Sequence, residues 1–147
     1  MHIVIYLSSS FSFTQDFAKQ YYGKLPLNQS QERERRERAT ISSLPERVGQ
    51  TVLLRARIQT SRATGNKMVF LNLRQRIDTV QGLLEVKEGK VSRPMVKWVA
   101  GLPDESIVLV EGVVESAKEE VKSATIKNVE IKVAQVSFLC PLLNHIR

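Results

Sequence analysis

The feature that most constrains the fold is a period-two alternation of apolar and polar residues in the middle of the chain. Across residues 52–58 the even positions are apolar, and the odd positions include Arg55 and Arg57. Such alternation is typical of a strand with one face in a core and the other in solvent. The same pattern returns over 69–74 and again over 80–86, which predicts three consecutive strands.

After the third strand the spacing of apolar residues changes to one typical of a helix. Ser92 is predicted to cap the helix N-terminus, and Pro94 stands in the first turn, where a missing N–H is tolerated. Gly101 is predicted to end the helix. Two further strands are then predicted over 106–114 and 129–133.

The predicted order is therefore three strands, one helix and two strands, which indicates a mainly-β fold. The five-stranded OB-fold Greek-key barrel has this order, with its helix between strands three and four. An SH3-like barrel lacks the helix, and a ferredoxin-like fold needs one after its first strand. We predict such a barrel over 48–137, with Trp98 filling the end that the helix covers. An irregular or helical extension with a charged linker is predicted over 1–47, and an apolar tail over 138–147.

The composition favours an intracellular protein with a polyanionic partner. The 147 residues carry a formal net charge of +7, and the isoelectric point is near 9.8. Cys140 is the single cysteine and cannot form an internal disulfide, which predicts a cytoplasmic location. No apolar run reaches the roughly 18 residues that a membrane span needs, so no membrane association is predicted.

The sequence shows no pattern typical of a catalytic or metal site. His2 and His145 have no partners at metal-ligand spacing, and Cys140 with His145 lies beyond the last predicted strand. Residues 64–67 contain one glycine and do not form a phosphate-binding loop. We therefore expect no catalytic residues and no metal in this chain.

The strand patterns do indicate a binding surface. Phe70 faces away from the core side of the second strand, which makes it a candidate platform for stacking an unpaired base. Arg55, Arg57 and Arg74 are predicted on the same surface, with Arg62 in the adjoining loop. Guanidinium groups bind phosphates bidentately and stack on bases, so this combination favours RNA. The alternative for Phe70 is a ring covered by a loop or by the N-terminal segment.

Gln81 adds a hydrogen-bonding group to this surface. It lies on the outer face of the third predicted strand, and a hairpin of strands two and three would bring it close to Phe70. Its amide offers donors and an acceptor to a base edge, as in the recognition of single-stranded RNA. Alone, an exposed glutamine is more often simply solvated.

Short stretches of the sequence resemble a known family. The segments FLNLRQ at 70–75 and VQG at 80–82 resemble the anticodon-binding domain of class IIb aminoacyl-tRNA synthetases. Within that class, four further segments narrow the resemblance to the eukaryotic cytosolic aspartyl-tRNA synthetases: YGKLPL at 22–27, MVKW at 95–98, ESIVLV at 105–110 and KSAT at 122–125. The resemblance covers roughly residues 21–133.

The resemblance implies roles for individual residues in binding the tRNA anticodon stem-loop. Phe70 matches the aromatic residue that stacks on the central uridine, and Gln81 matches the glutamine that hydrogen-bonds near it. Arg62 matches a loop arginine that contacts the stem-loop. Ser123 and Glu130 match positions near the flanking bases, and the Glu130 carboxylate is the candidate for selecting a G or C edge.

The sequence also departs from the family. The family's lysine-rich N-terminal helix and its catalytic domain are not found in these 147 residues. ATP and Mg²⁺ belong to that catalytic domain, so no cofactor is expected here and the chain alone is not expected to form aspartyl-adenylate. A homodimer or a contact with the catalytic domain is expected only in the full-length family.

Two other functions fit the same residues. The first is a general binder of single-stranded nucleic acid on the same barrel. The second is a non-catalytic assembly element, which would pair with another chain through the apolar residues of the tail: Phe138, Leu139, Leu142, Leu143 and Ile146.

Overall fold

The computed structural model describes residues 16–25 and 36–140, and it contains six strands and one α-helix. The elements are β1 (Tyr22–Lys24), β2 (Thr51–Thr64), β3 (Met68–Gln75), β4 (Asp78–Glu85), α1 (Arg93–Ala100), β5 (Ile107–Ser116) and β6 (Val129–Cys140). Two 3-10 helices, Lys19–Tyr21 and Ile41–Arg47, precede the long strands.

The strands form a closed barrel with one strand added outside it. The order is β1-β6-β4-β3-β2-β5, and β5 also pairs with β6, which closes a ring of five strands. Within the ring β4 and β6 are parallel and the other pairs are antiparallel. The predicted OB-fold barrel, with its helix between the third and fourth barrel strands, is confirmed. The strand β1, which pairs in parallel with β6, was not predicted.

The alternation in the sequence fills the barrel. The inward positions of the strands are apolar and almost inaccessible to solvent, and the largest of them are Leu54, Ile58, Leu71, Leu73, Leu84 and Ile131. Burying one such side chain contributes about 1.5–3 kcal/mol, so this row dominates the stabilisation of the barrel. Some outward positions are also buried, whereas others, among them Phe70 and Gln81, stay partly accessible and are available for binding.

Helix α1 closes one end of the barrel, as predicted, but through different side chains. The Ser92 hydroxyl accepts a hydrogen bond from the Met95 amide at 3.2 Å and caps the helix. Met95, Val96 and Val99 are the buried residues of the helix. The prediction that Trp98 fills the barrel is wrong, because the indole is only half-buried and packs on the outer layer.

The Trp98 indole instead meets the N-terminal segment. Its ring centroid lies 5.3 Å from that of Tyr22 in β1. The Tyr22 hydroxyl donates a hydrogen bond of 2.6 Å to the Asp16 carboxylate. Burial, reinforced by this hydrogen bond and by the negative charge of Asp16, raises the pKa of Tyr22 to about 12. Burial acts to raise the pKa of Asp16, but hydrogen bonds from Tyr22, Ser92 and the Ala18 amide outweigh it and lower that pKa.

The core extends beyond the residues 48–137 in which the barrel was predicted. Ile41 and Leu44 in the second 3-10 helix are fully buried, and β6 continues to Cys140. Arg36 of the charged linker forms an ion pair with Glu111 at 2.8 Å. Residues 32–35 of that linker, both histidines and residues 141–147 lie outside the described residues, so the assembly role of the tail stays a prediction.

Candidate nucleic-acid interface

The outer face of β3 carries the predicted stacking residue. Along this strand Val69, Leu71 and Leu73 are buried, and the residues between them are half-buried on the opposite face. Phe70 therefore lies outside the barrel, as the alternation predicts. It is half-buried rather than fully exposed, because neighbouring side chains of the same surface approach its ring.

A β-bulge brings Arg62 onto the same face as Phe70. The pairing of β2 with β3 shifts between Ile58 and Thr60, which leaves Gln59 as an extra residue. Such a bulge exchanges the faces on which the following side chains lie. Arg62 consequently stands directly opposite Phe70, with its guanidinium carbon 5.3 Å from the ring centroid. Arg62 lies within β2 and not in the loop in which it was predicted.

Around this pair lies a cavity of about 250 Å³, which we call the Phe70 site. Its lining residues come from three strands and one loop: Thr60, Arg62, Phe70, Leu71, Asn72, Gln81 and Ser123. Four of the predicted site residues thus lie together around one cavity: Arg62, Phe70, Gln81 and Ser123. Sequence reasoning missed Thr60 and Asn72. The alternation along β3 already placed Asn72 between Phe70 and Arg74 on the outer face, which was a usable signal.

The loop 117–128 is fixed to the barrel by two threonines. The Thr79 amide donates to Thr125 Oγ1 at 2.7 Å, and the Thr125 amide donates to Thr79 Oγ1 at 2.8 Å. Close by, Asn72 Nδ2 donates to the Ser123 carbonyl at 3.2 Å. These contacts hold Ser123 at the rim of the Phe70 site, so the loop forms a wall of the cavity.

Glu130 orients the amide of Gln81. In the barrel the two residues are register partners on β6 and β4, and Gln81 Nε2 donates to Glu130 Oε2 at 3.1 Å. An ionised carboxylate only accepts hydrogen bonds, so the NH₂ group of Gln81 must face it. The Gln81 carbonyl oxygen is then the end directed away from Glu130.

The expectation that four arginines surround Phe70 is wrong for Arg55, Arg57 and Arg74. These three line a separate cavity of about 710 Å³ at the other end of the β2–β3 pair. We call it the arginine groove, and its guanidinium groups belong to Arg38, Arg55, Arg57, Arg74 and Arg76. The reason for the separation is distance along the strand, because Arg74 lies four residues, or about 13 Å, beyond Phe70.

Neither a metal site nor a membrane-spanning helix is found among the described residues. Within 16–25 and 36–140, no group of three or more His, Cys, Asp or Glu side chains could hold a metal ion. No helix in these ranges is both long and apolar enough to cross a membrane.

Comparisons with known proteins show which proteins the chain is similar to. No family model matches the chain. It is 43% identical over 114 residues to the cytoplasmic aspartate–tRNA ligase 1 of Dictyostelium discoideum, covering 77% of this chain and 20% of that protein. It is 42% identical over 123 residues to the cytoplasmic aspartate–tRNA ligase of Bos taurus, covering 83% and 24%.

A solved structure gives the same result. The aspartyl tRNA synthetase from Entamoeba histolytica superposes with a TM-score of 0.78 at 31% sequence identity, over 86% of this chain and 26% of that one. The chain thus spans only about a fifth to a quarter of the length of the relatives it matches.

Proposed function

We propose that this chain, which belongs to the aspartate–tRNA ligase family through the quarter of that protein it spans, binds the anticodon loop of a tRNA at the Phe70 site. The observation that carries the proposal is the meeting of an outward aromatic ring, a guanidinium group and two amide side chains in one small cavity. Unpaired bases are recognised by stacking combined with hydrogen bonds to their edges.

The size of the cavity suits a single base. Its volume of about 250 Å³ lies below the ~300–1,000 Å³ typical of sites for drug-sized ligands. A base stacked on the Phe70 ring gains roughly 1–3 kcal/mol. A site for one extruded base needs little more than this platform and a few polar groups at its rim, which Gln81, Asn72 and Ser123 supply.

A base that stacks on the Phe70 ring must either displace the Arg62 guanidinium from one face of the ring or stack on the opposite face. Its guanidinium lies over the Phe70 ring, but the side chain is exposed to solvent. A cation–π contact at an exposed site contributes only about 0.5–1 kcal/mol, which is less than base stacking. The base therefore displaces Arg62 at a net gain, and the released guanidinium can bind a neighbouring phosphate.

The polar groups of the site favour a base that presents an N–H donor. Gln81 offers its carbonyl oxygen, because Glu130 binds its NH₂ group. Asn72 Oδ1 is buried and accepts no hydrogen bond within the described part of the chain. A buried acceptor without a donor costs about 1–3 kcal/mol, which a ligand donor would recover. Uracil has such an imino N–H, in agreement with the central uridine that the family resemblance implies.

In this proposal the barrel supports aminoacylation in the cytoplasm by holding the tRNA. The relatives that it matches are named as cytoplasmic aspartate–tRNA ligases. Aspartate activation with ATP and Mg²⁺ belongs to the part of those proteins that this chain does not span. Glu130 stays a candidate for reading a flanking base, since a carboxylate can accept from more than one donor.

The test is the affinity of Phe70→Ala for a labelled anticodon stem-loop of aspartate tRNA, measured by fluorescence anisotropy. Loss of roughly 1–3 kcal/mol of stacking corresponds to a Kd raised by about 5- to 150-fold. Phe70→Trp is the matched control, because it keeps an aromatic face and should bind within a few-fold of the parent. Equal affinity of Phe70→Ala and the parent chain would overturn the stacking role.

The same assay separates the proposal from general binding of single strands. A stem-loop with a scrambled anticodon should compete poorly if the Phe70 site reads a particular base. If matched and scrambled loops compete equally, and the affinity depends steeply on salt, the chain is instead a general binder held by its net positive charge.

A further inference from the structure

We infer that the arginine groove is a second RNA site, which binds phosphate groups of the strand whose base enters the Phe70 site. This inference rests on the proposed function, because it requires an RNA ligand. It adds a separate surface, a different chemical contact and two residues outside the predicted set of site residues, Arg38 and Arg76.

The geometry places both sites on one continuous surface. On the β2–β3 pair Arg62 stands opposite Phe70, and Arg57 stands opposite Arg74. Both pairs lie on the outer face of the β2–β3 hairpin, separated by four residues of β3 or about 13 Å. A single nucleotide at the Phe70 site could not reach the groove, whereas a strand that continues from it along the same face can.

The groove carries a high density of unneutralised positive charge. Its lining contains five arginines and no carboxylate. Glu105, which lies beside it, binds Arg57 at 3.2 Å and Arg74 at 3.4 Å through one oxygen atom. The other three arginines of the groove form no ion pair with any residue in the described ranges: Arg38, Arg55 and Arg76. Charges held together in this way repel each other unless an anion lies between them.

The backbone at Arg76 is a second sign of function. This residue occupies the tight turn between β3 and β4 with a φ of 58°, in the left-handed region that glycine adopts without steric hindrance. A non-glycine residue at such a position indicates a role for its side chain, because strained backbone is concentrated at binding sites. The guanidinium group of Arg76 is one of the five that line the groove.

The lining favours phosphates over the other anionic ligands of similar size. Guanidinium groups bind phosphate oxygens bidentately, and the groove contains no aromatic ring on which a base could stack. Its apolar lining consists only of Ala39, Ala56 and Ile107. An acidic protein segment would be expected to find aromatic or methionine anchors at the centre of its interface, and the groove offers none.

The experiment compares two ligands in three variants of the full chain. The variants are Arg55→Gln, Arg76→Gly and, as a matched control, Arg93→Gln, which removes an exposed arginine on α1 outside the groove. The ligands are the complete anticodon stem-loop and uridine monophosphate, a single nucleotide that cannot reach the groove from the Phe70 site. Dissociation constants are measured over a series of salt concentrations.

We expect Arg55→Gln and Arg76→Gly each to raise the Kd for the stem-loop by about 5- to 10-fold at low salt and to reduce the slope of log K against log salt by about 0.7 per lost phosphate. Binding of uridine monophosphate should not change, and Arg93→Gln should match the parent throughout. Arg76→Gly should also keep or raise the melting temperature, because glycine relieves the left-handed strain, so weaker binding cannot be attributed to unfolding.

The outcomes separate this inference from the proposed function. If Phe70→Ala binds the stem-loop like the parent while the arginine variants lose affinity, the stacking role of Phe70 is refuted. The role of the arginine groove in binding RNA is then supported. If both groove variants bind the stem-loop with parental affinity and salt slope, the inference is overturned. It is equally overturned if a polyglutamate peptide binds the parent but not the groove variants while their RNA binding is unchanged, since the ligand is then an acidic protein segment.

Discussion

Replacing Thr125 with valine should loosen the loop that walls the Phe70 site. The substitution keeps the shape of the side chain but removes Oγ1, which accepts from the Thr79 amide at 2.7 Å and donates to the Thr79 carbonyl at 3.2 Å. Thr79 is buried, so its amide is left without its partner in a place with little access to water. A buried donor that loses its acceptor costs roughly 1–3 kcal/mol.

The free energy of unfolding should therefore fall by about 1–3 kcal/mol, which urea denaturation followed by circular dichroism can measure. RNA affinity should fall as well, because Ser123 is held at the rim only while the loop is docked. Each ~1.4 kcal/mol lost from docking lowers the apparent affinity by at most about tenfold. Thr125→Ser keeps the hydroxyl and should leave both quantities close to those of the parent.

The free energy of unfolding and the affinity for RNA test two separate roles of the loop. Unchanged stability in Thr125→Val would mean that the reciprocal threonine contacts do not anchor loop 117–128. Lower stability with unchanged affinity for the stem-loop would mean that the loop is anchored as described, but that Ser123 takes no part in binding RNA.

Two further predictions concern the stability of the barrel. Gly112→Ala should lower the free energy of unfolding by roughly 1–3 kcal/mol in the same urea assay, because a Cβ there would lie 2.4 Å from the Lys132 carbonyl oxygen; Gly101→Ala, whose nearest contact is 3.5 Å, should change it little. Above pH 10 the parent should lose the stabilisation that Tyr22 provides, since its pKa is raised from 10.0 to about 12 in the folded state. The difference in stability between the parent and Tyr22→Phe should thus be full below pH 10 and shrink as the pH rises towards 12, and a constant difference would contradict the assigned hydrogen bond to Asp16.

The barrel was predictable because its strands are half-buried. Period-two alternation reports directly on which side chains enter a core, and the inward residues of β2 and β3 followed it. The helix was predictable because Ser92 and Pro94 have local effects on the helix N-terminus. The strand β1 was not, because three residues that include Gly23 are too short for a period to appear, and the strand exists only through pairing with residues 136–138.

The role of Trp98 was mispredicted for a related reason. Helical spacing identified an apolar face, but it could not choose between a large residue inside the barrel and one at its border. The choice depended on β1, whose Tyr22 ring supplies a partner outside the barrel. Smaller residues, Met95 and Val99, then fill the interior.

For the candidate site, the sequence predicted which side chains face outward and that Gln81 lies close to Phe70, but not how the arginines divide between two surfaces. The pleat of a strand determines locally on which face of the sheet a side chain lies. Which side chains of different strands come into contact depends on the register between those strands. One inserted residue, Gln59, exchanges the faces after Ile58 and so places both Arg57 and Arg62 on the outer surface, although they differ in parity along the chain. A reading of the sequence without that bulge must leave Arg62 in a loop or place it on the wrong face.

The same bulge divides the outer arginines between two surfaces. Arg57 lies before it and pairs with Arg74, whereas Arg62 lies after it and pairs with Phe70. Guanidinium groups that look like one cluster in the sequence therefore lie at two different cavities, the Phe70 site and the arginine groove. The inward residues of both strands are fully packed, so neither surface can shift relative to the other without disrupting the core. The distance of about 13 Å between the two surfaces is therefore fixed, and any RNA strand that binds both must match it.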